Sequence, residues 1–252
     1  MKWIYLFYHL QHHIKDNLNK RFYTTITYKN LMKRQVIVQV IVIFFLLCPI
    51  GMYGVSGARV VLVTGFEPFG DYTVNPSQLI AEALNGSTLN DVELFGAVLP
   101  VDFNESVEMT TDVIEHYHPI LVMSLGLNPR ALGIEIEKIG INLKRYPKDD
   151  GTWSLPQRID VPGPFLRFSS IPTQNIVRKI REANISVQQS YFAGSYICNT
   201  LFYQLIGYVS EQNNSRKVGF IHIPLLDFQA QDGMPLQTMV DAVKIAIQTC
   251  LE

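Results

Sequence analysis

Val60-Val61-Leu62-Val63-Thr64-Gly65 is the stretch on which the fold turns. Four consecutive apolar residues stopped by a threonine and a glycine predict a short strand buried on both faces. Asn75-Pro76-Ser77 then predicts a helix start, with Leu79, Ile80 and Ala83 along it and Asn85-Gly86 closing it. Proline at an early helical position and glycine past the end fit the two termini of a helix. The same alternation continues down the chain. Val92–Leu99 is a strand, Asn104–His116 an amphipathic helix with Val107, Thr111, Val113 and Ile114 inward, and Pro119–Leu125 a strand ending at Gly126. Thr173–Ala183 is a helix, Val187–Tyr191 a strand, Lys217–Ile223 a strand, and Leu236–Cys250 a closing helix. Strands alternating with helices predict an α/β fold: a three-layer α/β/α domain around a twisted, largely parallel sheet.

Two stretches depart from the alternation. Ile134-Glu135-Ile136-Glu137-Lys138-Ile139-Gly140-Ile141-Asn142 alternates with period 2 and predicts an exposed hairpin arm or edge strand. Residues 144–172 hold five of the thirteen prolines together with Asp149-Asp150-Gly151, which predicts a long functional loop.

The formal net charge of −1 conceals an asymmetry. Residues 1–58 carry seven Lys or Arg and one acid, whereas residues 59–252 carry 14 basic and 21 acidic side chains. An acidic body argues against a nucleic-acid partner, which requires a basic face. Three cysteines give no disulfide framework, and Cys198 could meet Cys250 only if the fold joined them.

The chain divides into an N-terminal extension, residues 1–58, and a body, residues 59–252. In the extension, Lys33-Arg34 precedes the apolar run Val36–Leu47, and small residues follow at Val55-Ser56-Gly57-Ala58. That order describes a secretory signal peptide better than a spanning helix, which needs about 20 apolar residues. Met32 is then the expected true start. A membrane enters only if residues 36–55 stay uncleaved as an anchor. Sequons at Asn85, Asn104, Asn184 and Asn213 fit secretory entry, although such tripeptides also arise by chance.

Chemistry concentrates in two segments. Ala193-Gly194-Ser195-Tyr196-Ile197-Cys198-Asn199 delivers a cysteine into the start of a helix marked by Leu201, Phe202, Leu205 and Ile206. Unpaired N–H groups and the dipole at a helix N-terminus favour a thiolate. Gly219-Phe220-Ile221-His222-Ile223-Pro224 places a histidine at a strand end, the natural proton shuttle for such a nucleophile. A cysteine alone more often packs as a small hydrophobe, and a histidine among apolar residues is more often a satisfied core group. The pairing is what favours a thiol hydrolase. His116 and His118 lie two apart and share no helix face, so they suggest a helix C-terminus and no metal.

Val63-Thr64-Gly65-Phe66-Glu67-Pro68-Phe69-Gly70 with Asn75-Pro76-Ser77 resembles the opening motif of the type-I pyroglutamyl peptidases, cysteine exopeptidases that remove N-terminal pyroglutamate. The cysteine and histidine segments resemble that family's nucleophile and histidine motifs, in order, over about residues 59–250. The resemblance implies Cys198 as nucleophile, His222 as its proton partner and Glu137 as the orienting carboxylate. Glu135 shares the face of Glu137 by period 2, and the motif is what favours Glu137. The resemblance further implies a pyroglutamate slot with Phe66 and Phe69 as walls, Asn75 at its edge and Arg145 in a supporting role. It implies no metal and no cofactor, peptides bearing N-terminal pyroglutamate as partners, and a homo-oligomer, as is common in the family. The family is ordinarily intracellular, whereas the Val36–Leu47 segment points to a secretory or lysosomal route. Tyr196 also stands where the family commonly has Phe. The alternatives to a peptidase are a catalytically silent binder of pyroglutamyl peptides and a same-fold thiol hydrolase of other blocked amides. Peptide mapping of the expressed protein should find nothing from residues 1–31; a single peptide from that stretch would overturn the Met32 start.

Overall fold

The computed structural model describes residues 59–212 and 215–252. The expectations for Met32, the Val36–Leu47 segment, Cys48 and Asn213 fall outside them. Among the described residues, no helix is long and apolar enough to cross a membrane.

Among the described residues, nine strands and five helices follow one another: β1 Arg59–Phe66, α1 Pro76–Leu84, β2 Thr88–Leu89, β3 Val92–Leu99, α2 Glu105–Tyr117, β4 Leu121–Leu127 and β5 Ile134–Glu137. Then come β6 Ile139–Ile141, β7 Leu166–Phe168, α3 Thr173–Glu182, β8 Val187–Ser190, α4 Ile197–Glu211, β9 Lys217–Ile223 and α5 Leu236–Leu251. Seven strands form one sheet in the order β2-β3-β1-β4-β9-β5-β8, and β6 and β7 form a separate pair. The central run β3-β1-β4-β9 is parallel throughout. β5 reverses against β9, and β8 runs parallel to β5.

Alternate side chains along the strands build two cores. Val61, Val63, Met123, Ile134, Ile136 and Ile221 pack with α1, α3 and α5 on one face. Leu62, Phe66, Val122 and Phe220 pack with α4 and with Ile114 of α2 on the other. The three expected layers follow directly from that division. Cys198 packs against the second core and Cys250 lies in the first, so the sheet separates them and both are free thiols.

The β1–α1 junction shows how tightly sequence sets local structure. Asn75 caps α1, accepting from the Ser77 N–H at 3.0 Å and the Ser77 hydroxyl at 2.8 Å, and its amide donates back to the Glu67 carbonyl at 3.0 Å. The Ser77 hydroxyl oxygen accepts from the Phe66 N–H at 3.1 Å, fastening the strand end to the helix start. Gly65 permits that approach, because a Cβ there would lie 2.0 Å from the Ser77 carbonyl oxygen.

Several expectations are corrected. Ile134–Glu137 is neither an exposed arm nor an edge: β5 lies inside the sheet between β9 and β8, and the edge expectation fits only Ile139–Ile141. Its alternation reflects two different covered faces, isoleucines toward one core and glutamates toward polar partners, with Glu137 fully buried. Beyond Lys138 the chain leaves the sheet, and β6 pairs with β7, so residues 144–172 are not wholly irregular. On α2 the buried residues are Ser106, Thr110 and Ile114, and Thr111 is only half-buried, since the helix turns its small polar side toward the sheet. His118 caps α2 in the left-handed region, φ 46°, as its placement at a helix end implies.

Gly65→Ala should destabilise the domain by about 3 kcal/mol, because the clash is with backbone and no rotamer relieves it. Chemical denaturation at neutral pH measures the loss; unchanged stability would contradict the packing described here.

Candidate active site

Four elements converge on Cys198. Gly194, at φ 82°, turns the chain into α4, whose first residues are Ile197 and Cys198. No side chain caps this helix, so the N–H groups of its first turn lack intrahelical partners and face the sulfur's surroundings. β4 makes room: a Cβ on Gly126 would come within 2.7 Å of the Cys198 sulfur and 2.9 Å of the Phe220 ring. β9 carries Phe220 and His222 on the same side of the sheet, with His222 paired in register to Gly126. β5 adds Glu137, whose Oε1 lies 2.7 Å from His222 Nδ1. The second nitrogen is thereby left free of Glu137, and Cys198 lies close enough to the ring to act on its charge.

The carboxylate is fully buried and the imidazole 6% exposed, so water screens neither. Burial by itself pushes the imidazole toward its neutral form. The hydrogen bonds and charges of Cys198 and Glu137 overcome it and carry the His222 pKa up from 6.5 to about 10. The second Glu137 oxygen has no hydrogen-bond partner. Cys250 is the opposite case: burial pushes its thiol up to about 12, the behaviour of an inert core cysteine.

A small apolar slot opens beside the sulfur. Phe66, Phe69 and Asn75 line it from the β1–α1 junction, Val101 and Leu127 from the ends of β3 and β4, and Tyr196–Cys198 from the start of α4. The Tyr196 ring is held edge-on by Phe103 at 5.3 Å and Trp153 at 5.5 Å, contacts that no local pattern in the sequence announces. Asn75 belongs to the wall, yet its amide is already committed to Ser77 and Glu67. Arg145 does not line the slot. Its N–H donates to the Ser195 carbonyl at 2.7 Å and its Nε to the Ser154 carbonyl at 2.8 Å, which bolts the proline-rich segment to the cysteine turn. A larger cleft of about 470 Å³ opens at the start of α3, between Lys138, Phe168 and Gln189. Cys198, His222 and Glu137 do not line it, whereas Cys198 lines the smaller slot.

Asn199 has a part that its spacing did not reveal. Fully buried, it accepts from the Ile141 N–H at 2.9 Å and donates to the carbonyls of Ile141 at 2.8 Å and Leu143 at 2.9 Å. It ties the residue after the nucleophile to the strand that follows Glu137. Glu135, Glu137 and His222 also bring donor atoms within 4.8 Å of one another. The oxygens of Glu135 accept from Asn128 and Gln188, each at 2.8 Å, and His222 Nδ1 is bonded to Glu137. That set is already engaged within the protein.

Comparison with known proteins agrees with this geometry. A family model described as pyroglutamyl peptidase matches residues 59–252. The pyrrolidone-carboxylate peptidase of Yersinia pestis (strain Pestoides F) is 35% identical over 201 residues, covering 77% of this chain and 94% of that protein. Its counterpart in Coprothermobacter proteolyticus is 34% identical over 200 residues, covering 76% and 97%. Among solved structures, the pyrrolidone carboxyl peptidase of Thermococcus litoralis superposes with a TM-score of 0.72 at 28% identity, covering 77% of this chain and 93% of that one. A mutant of the Pyrococcus furiosus enzyme gives 0.72 at 33%, covering 77% and 98%. The chain therefore belongs to the pyroglutamyl peptidase family, and its body is a cysteine-type exopeptidase.

Proposed function

We propose that residues 59–252 form the catalytic domain of an exopeptidase that removes N-terminal pyroglutamate, with Cys198, His222 and Glu137 as its catalytic triad. The observation that carries this assignment is the 2.7 Å Glu137–His222 contact, buried beside a sulfur that faces an apolar slot. With Glu137 on one ring nitrogen, His222 holds a proton on the other and keeps Cys198 as thiolate. The thiolate attacks the pyroglutamyl carbonyl carbon, and negative charge develops on the carbonyl oxygen. The free N–H groups at the start of α4 stabilise that oxygen. The C–N bond breaks as His222 gives its proton to the departing amine, leaving a thioester on Cys198. Water then enters, His222 takes one of its protons, and hydroxide displaces the sulfur to release pyroglutamate.

The slot explains the choice of substrate. Pyroglutamate is a flat, neutral lactam, which Phe66, Phe69 and Tyr196 can enclose. An ordinary amino terminus is an ammonium ion, costly to bury among such walls. Asn75 serves this reading by shaping the wall, and Arg145 by holding the cysteine turn.

The sign of the pH dependence follows from the raised imidazole. His222 is charged across neutral pH, and the reactive ion pair is lost as pH rises through about 10. Stability contributed by that shift is likewise complete below 6.5 and disappears through the same alkaline range.

The purified chain should release the fluorophore from a pyroglutamyl-amide reporter and leave prolyl and free-amine reporters intact. Cys198→Ala and His222→Ala should each lower kcat by at least about 10⁴-fold, and Glu137→Gln by about 10²- to 10⁴-fold. Iodoacetamide should silence the enzyme. An active Cys198→Ala variant would end the assignment, and pyroglutamyl-peptide binding without turnover by the unmodified chain would identify a silent binder instead. Gly126→Ala should cut kcat by at least about 10²-fold while the protein stays folded, because the new methyl group displaces the sulfur by a fraction of an ångström; steady-state kinetics and circular dichroism read the two together.

A further inference from the structure

Glu135 is not part of the triad, yet it lies directly across from His222 in the antiparallel β5–β9 register. Opposed residues of such a pair project to the same face, so Glu135 and Glu137 both stand on the imidazole's side of the sheet. Donor atoms of all three fall within 4.8 Å of one another. Glu135 is half-buried, and both its oxygens are fixed: Oε2 accepts from Asn128 at 2.8 Å and Oε1 from Gln188 at 2.8 Å. Asn128 is itself anchored, its own N–H donating to the Ile223 carbonyl at 2.9 Å. Two neutral amides hold the carboxylate in place without cancelling its charge, as a lysine or arginine would do.

We propose that Glu135 is a positioning residue for the peptidase reaction: its clamped negative charge, beside that of Glu137, keeps His222 protonated and extends the active range toward alkaline pH. The proposal rests on the triad reading above. The titratable groups brought to the ring are Glu137 and Glu135 from β5 and Cys198 from α4, with the Tyr196 phenol lying toward the sulfur. β4 presents Gly126 at the paired position, which carries no charge. Glu135 has an oxygen within 4.8 Å of a ring nitrogen and of a Glu137 oxygen, and the cluster does not extend to the Cys198 sulfur. Its field therefore favours the imidazolium more than it opposes the thiolate. A second carboxylate near fully buried Glu137 is unfavourable taken alone, and the positive ring between them is what makes the arrangement tolerable.

The test is the pH profile of kcat/KM on a pyroglutamyl-amide reporter, with the His222 imidazole followed by NMR in the same proteins. Glu135→Gln should move the alkaline limb and the imidazole titration down together by about one pH unit, as expected for one partly screened charge about 5 Å away. KM should change less than about twofold, since Glu135 does not line the slot. Glu135→Thr removes the charge without setting an amide against Asn128 and Gln188, and it should give the same displacement if the glutamine variant folds poorly. Glu135→Asp restores the charge and should keep the limb near its original position. An unmoved limb and titration in the neutral variants would overturn the proposal, as would an aspartate variant displaced as far as they are. An inactive unmodified chain would instead overturn the triad reading, and the NMR titration alone would then decide what Glu135 does.

Discussion

A carboxylate and an imidazole can share a dry interior only if each answers the other. Glu137 and His222 are buried together, and either one alone would be an uncompensated polar group whose burial costs several kcal/mol. That requirement shapes the sheet around them. In a continuous parallel sheet, β5 would enter from the same end as β9, whereas here it reverses and sets Glu135 opposite His222. The reversal lets a glutamate two residues farther on reach diagonally to the imidazole nitrogen. β8 then pairs with β5 and encloses the strand, so the charged face is covered on both sides. The sheet also turns antiparallel at its far edge, where β2 pairs with β3, and the reversal at β5 is where the buried charges meet.

Most of the scaffold was legible because its signals are local. Apolar runs bounded by glycine, proline and asparagine located β1, β3, β9 and both ends of α1, and α3 differs from its expected span by a single residue. What escaped is long-range. Alternation in Ile134–Glu137 correctly indicated two faces, but it carries no information about neighbours, and an interior strand with a polar face reads the same as an edge. The two-residue β2 and three-residue β7 are too short for any periodicity. Cys198, His222 and Glu137 come from three separate motifs, and the fold brings their elements together, with Glu137 2.7 Å from His222. Arg145 was placed near them by resemblance, and its actual part, bonding to Ser195 and Ser154, is a backbone matter that no side-chain pattern encodes.

The glycines set the same limit from another direction. Gly65 and Gly126 ended strands in the sequence reading, where glycine is ordinary punctuation. In the structure each is a point of close approach, Gly65 to the backbone of Ser77 and Gly126 to the Cys198 sulfur. Neither has a positive φ, so it is the missing side chain and not backbone freedom that matters. The first brings Phe66 and Asn75 together at the slot, and the second lets the Cys198 sulfur rest against the sheet.

The proline-rich segment then belongs to the site even though it contributes no reactive group. Buried Asn142 is a hub of it: its amide donates to the carbonyls of Asp160, Gly163 and Pro164, and its oxygen accepts from the N–H groups of Ile159 and Asp160. Asn199 binds the strand just before that segment to the first turn of α4, and Arg145 binds its opening residues to Ser195. Trp153, carried by the same segment, buttresses Tyr196 at the slot. In the proposed reaction the start of α4 leaves its N–H groups free for a reacting oxygen, so they cannot hold the helix in place. The restraint has to come through side chains and carbonyls, and these asparagine and arginine contacts supply it while the start of α4 keeps no side-chain cap.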